Sequence, residues 1–202
     1  SAGPTQIFWD DFESDLGWVT DPFGTDDAST GNWERANPEE TIYNGIMQLG
    51  NTVSGSQDLV TGYLAGSSVG SYDIDSGETS IFSPAISLPA GRELKLSFYY
   101  YLAHLDNATS DDFFRVYVLA DETVLVFEEL GYGSNKEAVW SQVELNLSAF
   151  GGQTIQILFE AADAGSGSLV EAGVDDVLIM AERPNAQPTA NPQILNLEED
   201  SV

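Results

Sequence analysis

The stretch FWDDFESDLGW, residues 8–18, sets Asp10, Asp11 and Glu13 among Phe8, Trp9 and Phe12. A carboxylate buried without a partner is costly, so acids crowded against residues that must be buried need donors or a counterion. Two further stretches repeat the pattern. GTDDASTGNWERANP, residues 24–38, offers Asp26 and Asp27 ahead of Trp33, and AGVDDVLIM, residues 172–180, places Asp175 and Asp176 inside an apolar run. Strict alternation along such a run would turn one of the two toward the side that Val177 or Leu178 buries. The chemistry these residue types suit is cation binding, because calcium takes roughly six to eight oxygens from carboxylates, carbonyls and water and needs neither nitrogen nor sulfur. For each cluster alone, a turn cap or a solvent-facing strand end is the alternative. YDIDSGETS, residues 72–80, is a possible second cation site: Asp73, Asp75 and Gly77 match the start of a calcium loop, but Pro84 stands where its last acidic ligand would be. An ordinary turn is the alternative there, and a solvated loop is the reading for Asp111 and Asp112.

Catalytic motifs are missing. The chain has one histidine, His104, and no cysteine, which removes thiol nucleophiles, disulfides and thiolate or multi-histidine zinc sites. It contains no phosphate-cradling glycine loop. A glycosidase would need only a carboxylate pair in a cleft, but nothing singles out such a pair, and the chain reads as a non-enzyme. His104 is expected at a surface or strand end. The formal charge of −27, from 33 acidic and 6 basic residues, argues against nucleic acid and against an anionic membrane face. No apolar stretch reaches the roughly 18 residues of a membrane span, so membrane insertion is not expected. The opening SAGPTQ lacks the regions of a signal peptide, and the chain reads as a mature or excised piece.

The elements that must position these acids are strands. In LKLSFYYYL (residues 94–102) Leu94, Leu96, Phe98 and Tyr100 share one face, and in TIQILFE (154–160) Ile155, Ile157 and Phe159 do. Further strands are predicted over 43–49, 79–82, 113–119, 123–130, 140–147 and 174–180, separated by Gly, Ser, Asn, Asp and Pro. No helical spacing appears beyond a turn near 146–150. Eight to ten strands in residues 1–182 predict an all-β antiparallel sandwich, most simply a jelly roll. Residues 14–42 carry little strand pattern, and a loop of that length needs something to pin it. Residues 183–202, with Pro184, Pro188 and Pro192, read as a linker into a following module.

The order of the motifs DDFESDLGW, TGNWERANP, SPAISLP and AGVDDVLI resembles that of MAM-like and protease-associated jelly-roll modules of secreted bacterial proteins. The resemblance covers about residues 7–181. It implies a galactose-binding-like sandwich in which a calcium or sodium ion ties the F-E segment, an acidic loop before the Trp and the D-D ending. Carried onto this chain, that site is Glu13, with Asp11 on the same wall, Asp26 or Asp27, and Asp175 or Asp176. The paired cysteines of the animal MAM domain are missing. The tail resembles the start of a cadherin-like repeat of large bacterial surface proteins. The function implied is a non-catalytic, calcium-stabilised accessory module, secreted or on the cell surface, that serves binding or adhesion. Carbohydrate is one ligand class, through stacking on Trp18, Trp33, Tyr43, Tyr63 or Tyr132. The alternative is a protease-associated domain that stabilises or orients a neighbouring peptidase.

Overall fold

A computed structural model describes residues 3–183. The expected linker and following module therefore lie outside the described residues except for Arg183. Alternating segments become β1 (Thr5–Asp10), β2 (Val19–Thr20), β3 (Trp33–Ala36), β4 (Thr41–Ile42), β5 (Ile46–Gln48), β6 (Asp58–Thr61), β7 (Gly77–Phe82), β8 (Ile86–Ser87), β9 (Glu93–His104), β10 (Phe113–Leu119), β11 (Thr123–Leu130), β12 (Ser141–Asn146), β13 (Thr154–Asp163) and β14 (Val170–Glu182). One 3-10 turn, Ser148–Phe150, falls where the sequence predicts a turn. All strand pairs are antiparallel, and the fold is the expected jelly-roll sandwich. One sheet runs β12-β9-β14-β6-β3 with β1 also on β14, and the other runs β11-β10-β13-β7-β2 with β8 also on β13; β4 and β5 form a separate hairpin.

The shared face predicted for β9 is buried between the sheets. Phe98 packs on Phe159 at 5.3 Å between ring centroids and on Phe114 at 6.5 Å, and Trp33 closes on Phe114 at 6.4 Å. Residues 14–42 are pinned by three short strands, β2, β3 and β4, and by Trp33 of β3, whose indole N–H donates to the Thr79 carbonyl at 3.1 Å.

β14 carries the decisive irregularity. Its pairing with β9 runs Asp175↔Tyr99 and then Leu178↔Ser97, so two residues, Asp176 and Val177, face one. This is a β-bulge, with Asp176 in the left-handed region at φ 51°. The extra residue resets the alternation, so Val174, Val177 and Ile179 all enter the core. The expected burial of one aspartate holds, since Asp175 is fully buried, but the bulge keeps both aspartates out of the apolar core between the sheets. Beyond the bulge β14 also changes partner, from β6 at Gly173 and Val174 to β1 at residues 177–181.

The outer face of this sheet is also covered. Met47, Leu49, Tyr101, Ala103, Ala138 and Leu169 form a second apolar cluster there. Gly173 makes room for it, since a Cβ at that position would lie 2.4 Å from the Tyr101 ring. The cover traps acids. Asp58 is fully buried with both carboxylate oxygens lacking a hydrogen bond. Burial first, and the Asp175 charge second, hold its carboxyl up at about 9. A carboxyl raised in the folded state contributes its stability in full below the unfolded value of roughly 3.9, and loses it as pH rises through about 9. Calorimetric melting of Asp58→Asn should therefore match wild type near pH 4 and exceed it by several degrees at pH 8; a variant less stable than wild type at pH 8 would show Asp58 ionised and paired.

Candidate functional site

The opening carboxylates find donors close at hand. β1 ends at Asp10, and Phe12 adopts a left-handed backbone at φ 58°. That turn lets the Phe12 amide donate to Asp10 at 2.8 Å, while the Trp18 indole donates to its other oxygen at 2.7 Å. Burial raises the Asp10 pKa, and these two bonds oppose the rise. Glu13 lies at the surface and accepts the Ser56 and Gln57 amides, both at 2.7 Å, which lower its pKa. Asp175 accepts Val53 and Ser54 amides at 2.7 and 3.2 Å, and Asp176 accepts the Ser54 hydroxyl. The loop of residues 51–57 thus joins Glu13, Asp175 and Asp176, with Asp11 close enough to push the Asp176 pKa up after burial and against the Ser54 bond. Arg35 supplies the positive charge, donating to the Phe12 carbonyl at 2.9 Å and to Gln57 at 2.7 Å. Sequence reasoning missed Arg35 as a counterion, although it stands in the quoted W-E-R turn.

Asp26 and Asp27 do not join this clamp. They bind β7 in the other sheet: Asp26 accepts the Ser80 amide and hydroxyl, each at 2.6 Å, and Asp27 accepts the Glu78 amide at 2.8 Å. Their loop runs beside the Asp73–Asp75 segment, where Thr30 donates to the Asp73 carbonyl at 2.8 Å and to the Asp75 carboxylate at 3.2 Å. From the end of β13, Asp163 arrives opposite Gly77. Asp73, Asp75, Asp112 and Asp163 thus gather in one region, each among the charges that disturb another. Among the described residues, no three His, Asp or Glu side chains converge closely enough to hold a metal ion by themselves.

The aromatic candidates divide by burial. Trp33 is 1% exposed, and Trp18 stacks on Phe159 at 5.7 Å while serving Asp10. Both are core anchors, which corrects their reading as ligand-stacking residues. Tyr63 is half-buried, whereas Tyr43 and Tyr132 are exposed, at 45% and 48%. Tyr132 lines a groove. Tyr132, Asn135, Lys136, Glu137 and Ser141 lie beside residues 100–102 of β9 and enclose about 500 Å³. Lys136 fixes the wall, since its main chain exchanges hydrogen bonds with His104 at 2.8 and 3.0 Å and its ammonium pairs with Glu129. The His104 ring meets Tyr132 edge-on at 4.9 Å. His104 ends β9 as expected but is fully buried rather than at the surface, because the Tyr132 turn covers it. Apart from Ser141, the groove's polar residues named above fall in YGSNKEAVW (132–140), a turn-rich run whose only signal in sequence was Tyr132.

No protein-family profile matches the chain, and no curated protein matches it. Solved structures do share its architecture. The K3 cleaved adhesin domain of Lys-gingipain from Porphyromonas gingivalis superposes with a TM-score of 0.54 at 16% identity, over 88% of this chain and 99% of that one. The K1 adhesin domain of the same protein gives 0.53 at 18%, over 87% and 97%. The CBM22-1 xylan-binding domain of Paenibacillus barcinonensis Xyn10C gives 0.51 at 13%, over 91% and 99%. At these identities the likeness is one of fold alone, an antiparallel β-sandwich of the jelly-roll kind.

Proposed function

We propose that this chain is a non-catalytic binding module of a secreted or cell-surface protein and that its groove takes a carbohydrate. The observation that carries this reading is the Tyr132 ring, half exposed beside the groove and held edge-on by a buried histidine. A rigid aromatic face suits the C–H face of a sugar, while Asn135, Glu137 and Ser141 offer the donors and acceptors that hydroxyls require. The similar folds support the reading, since one belongs to a xylan-binding domain and two to adhesin domains. The strong negative charge suits a neutral glycan better than a polyanion.

A second reading, docking against a neighbouring domain, is favoured by a different observation. Val19 and Phe23 are 46% and 58% exposed at the β2 edge, with Phe23 on the Phe82 ring at 6.3 Å. Apolar side chains gathered on an exposed edge suit a protein partner.

A glycan array followed by calorimetric titration with the best oligosaccharide separates the two. Tyr132→Ala should weaken that binding about tenfold or more, in line with roughly 1–3 kcal/mol for a lost aromatic stack. Val19→Ser with Phe23→Ser should leave it unchanged. An array without signal, or full affinity in Tyr132→Ala, would remove the carbohydrate reading.

A further inference from the structure

The outer face of the β11-β10-β13-β7-β2 sheet carries a row of apolar side chains that crosses all five strands. Cross-strand register sets Leu125 of β11 against Tyr117 of β10, Tyr117 against Leu158 of β13, Leu158 against Phe82 of β7, and Phe82 against Val19 of β2. Tyr117, Leu158 and Phe82 point away from the core because their chain neighbours Val116, Val118, Ile157, Phe159 and Ile81 are the ones that enter it. At roughly 4.8 Å between strands the row is about 19 Å long. Its ends are open: Leu125 and Val19 are each 46% exposed, and Phe23, which packs on Phe82, is 58% exposed.

A parallel row beside it is acidic. Glu128 lies across from Arg115, Arg115 across from Glu160, and Glu160 across from Ser80, whose hydroxyl donates to Asp26 at 2.6 Å. Arg115 is the single base of this row. It is engaged with Glu128 at 2.7 Å and with the Phe113 ring at 3.7 Å, and it reaches Glu160 only at 3.9 Å. Burial first, and the Glu78 charge second, push the Glu160 carboxyl up to about 7 against the pull of Arg115, and Asp26 adds to the rise. An exposed apolar row therefore borders carboxylates that are short of positive charge.

We propose that this face docks a segment of a partner protein in which apolar side chains are flanked by lysine or arginine. The partner's apolar side chains cover the row from Leu125 to Val19, and its basic flank supplies charge to Glu160 and Glu128. A neutral sugar brings no charge to those carboxylates. A second copy of this chain is a poor source of it, with 33 acids to 6 bases. An amphipathic helix of about 13 residues, at roughly 1.5 Å of rise per residue, matches the length of the row. The inference rests on the docking reading for Val19 and Phe23, extends it across the sheet to Leu125, and is independent of the Tyr132 groove.

The probe is a fluorescently labelled peptide of leucine and lysine, about 13 residues long and patterned as a helix with one apolar stripe. A leucine and glutamate peptide of the same pattern is the control, and anisotropy is read at roughly 0.15 M salt, where distant charges are screened. The lysine peptide should bind and the glutamate peptide should not. Leu125→Ser with Phe23→Ser, both at exposed positions, should weaken binding about tenfold. Glu160→Gln should weaken it about threefold or more, whereas Glu144→Gln, which removes an equal charge from β12 of the other sheet, should leave it unchanged, as should Tyr132→Ala. No binding of the lysine peptide, full affinity in Leu125→Ser with Phe23→Ser, or equal losses in Glu160→Gln and Glu144→Gln would overturn the proposal. Equal binding of the glutamate peptide would overturn the basic partner and leave apolar docking at the β2 edge standing.

Discussion

The sheet built on β14 depends on that strand changing partner halfway. Along one edge β14 pairs with β9 over nearly its whole length; along the other it pairs first with β6 and then with β1. A bulge at Asp176 and Val177 marks the change, and a bulge leaves main-chain groups to be satisfied from outside the ladder. Asp175 meets part of that need by accepting the Asp176 amide at 2.7 Å, and it anchors residues 53 and 54 with its second oxygen. The paired aspartates are thus fixed by backbone geometry before any ligand is considered. A short acceptor side chain in a left-handed turn suits Asp176, because Asp tolerates that conformation better than most residues.

The same constraint explains the opening strand. β1 reaches β14 only beyond the bulge, so its end at Asp10 falls beside the 51–57 loop. Phe12 turns back to bury its ring against Trp18 at 5.5 Å. Aromatics and acids are interleaved there because they do different work over one turn: the rings fill the sandwich end, and the carboxylates collect the amides that the turn and the loop leave without sheet partners. Arg35, reaching in from β3, carries the compensating charge.

Alternation made the long strands legible. β10 and β11 have the bounds that the hydrophobic pattern implies, and the inward faces of β9 and β13 are those read from the sequence. What escaped has a physical cause in each case. β6 is four residues long and buried on both faces, so it shows no alternation and opens with an aspartate. β3 is equally short, hidden in a polar stretch with one anchoring tryptophan. The parity shift in β14 could not be read from VDDV, because a bulge is set by the strand's neighbours and not by its own side chains. The acidic stretches are visible in the sequence, but their grouping in space depends on which sheet each loop follows. Asp26 and Asp27 follow β7, and so stand with Asp73 and Asp75 rather than with Glu13.

The distribution of acid over the fold follows from this division of donors. A net charge of −27 with few basic residues leaves most carboxylates to be served by amides, hydroxyls and water. Where loops expose unpaired N–H groups, as at residues 53–57, those donors serve the acids, although burial still raises the Asp175 carboxyl to about 7. On the outer face of the β14 sheet and beside β7, the amides are already spent on strand ladders, so Asp58, Asp73 and Glu171 keep oxygens without donors. Leaving such a group unmet costs about 1–3 kcal/mol or more when it is charged. A proton relieves that cost at Asp58, which lies beside Tyr101 of the second apolar cluster. The donors within reach, rather than the number of acids, therefore set how far burial raises each carboxyl: Glu13, with two amides, is lowered, and Asp58, with none, is raised to about 9.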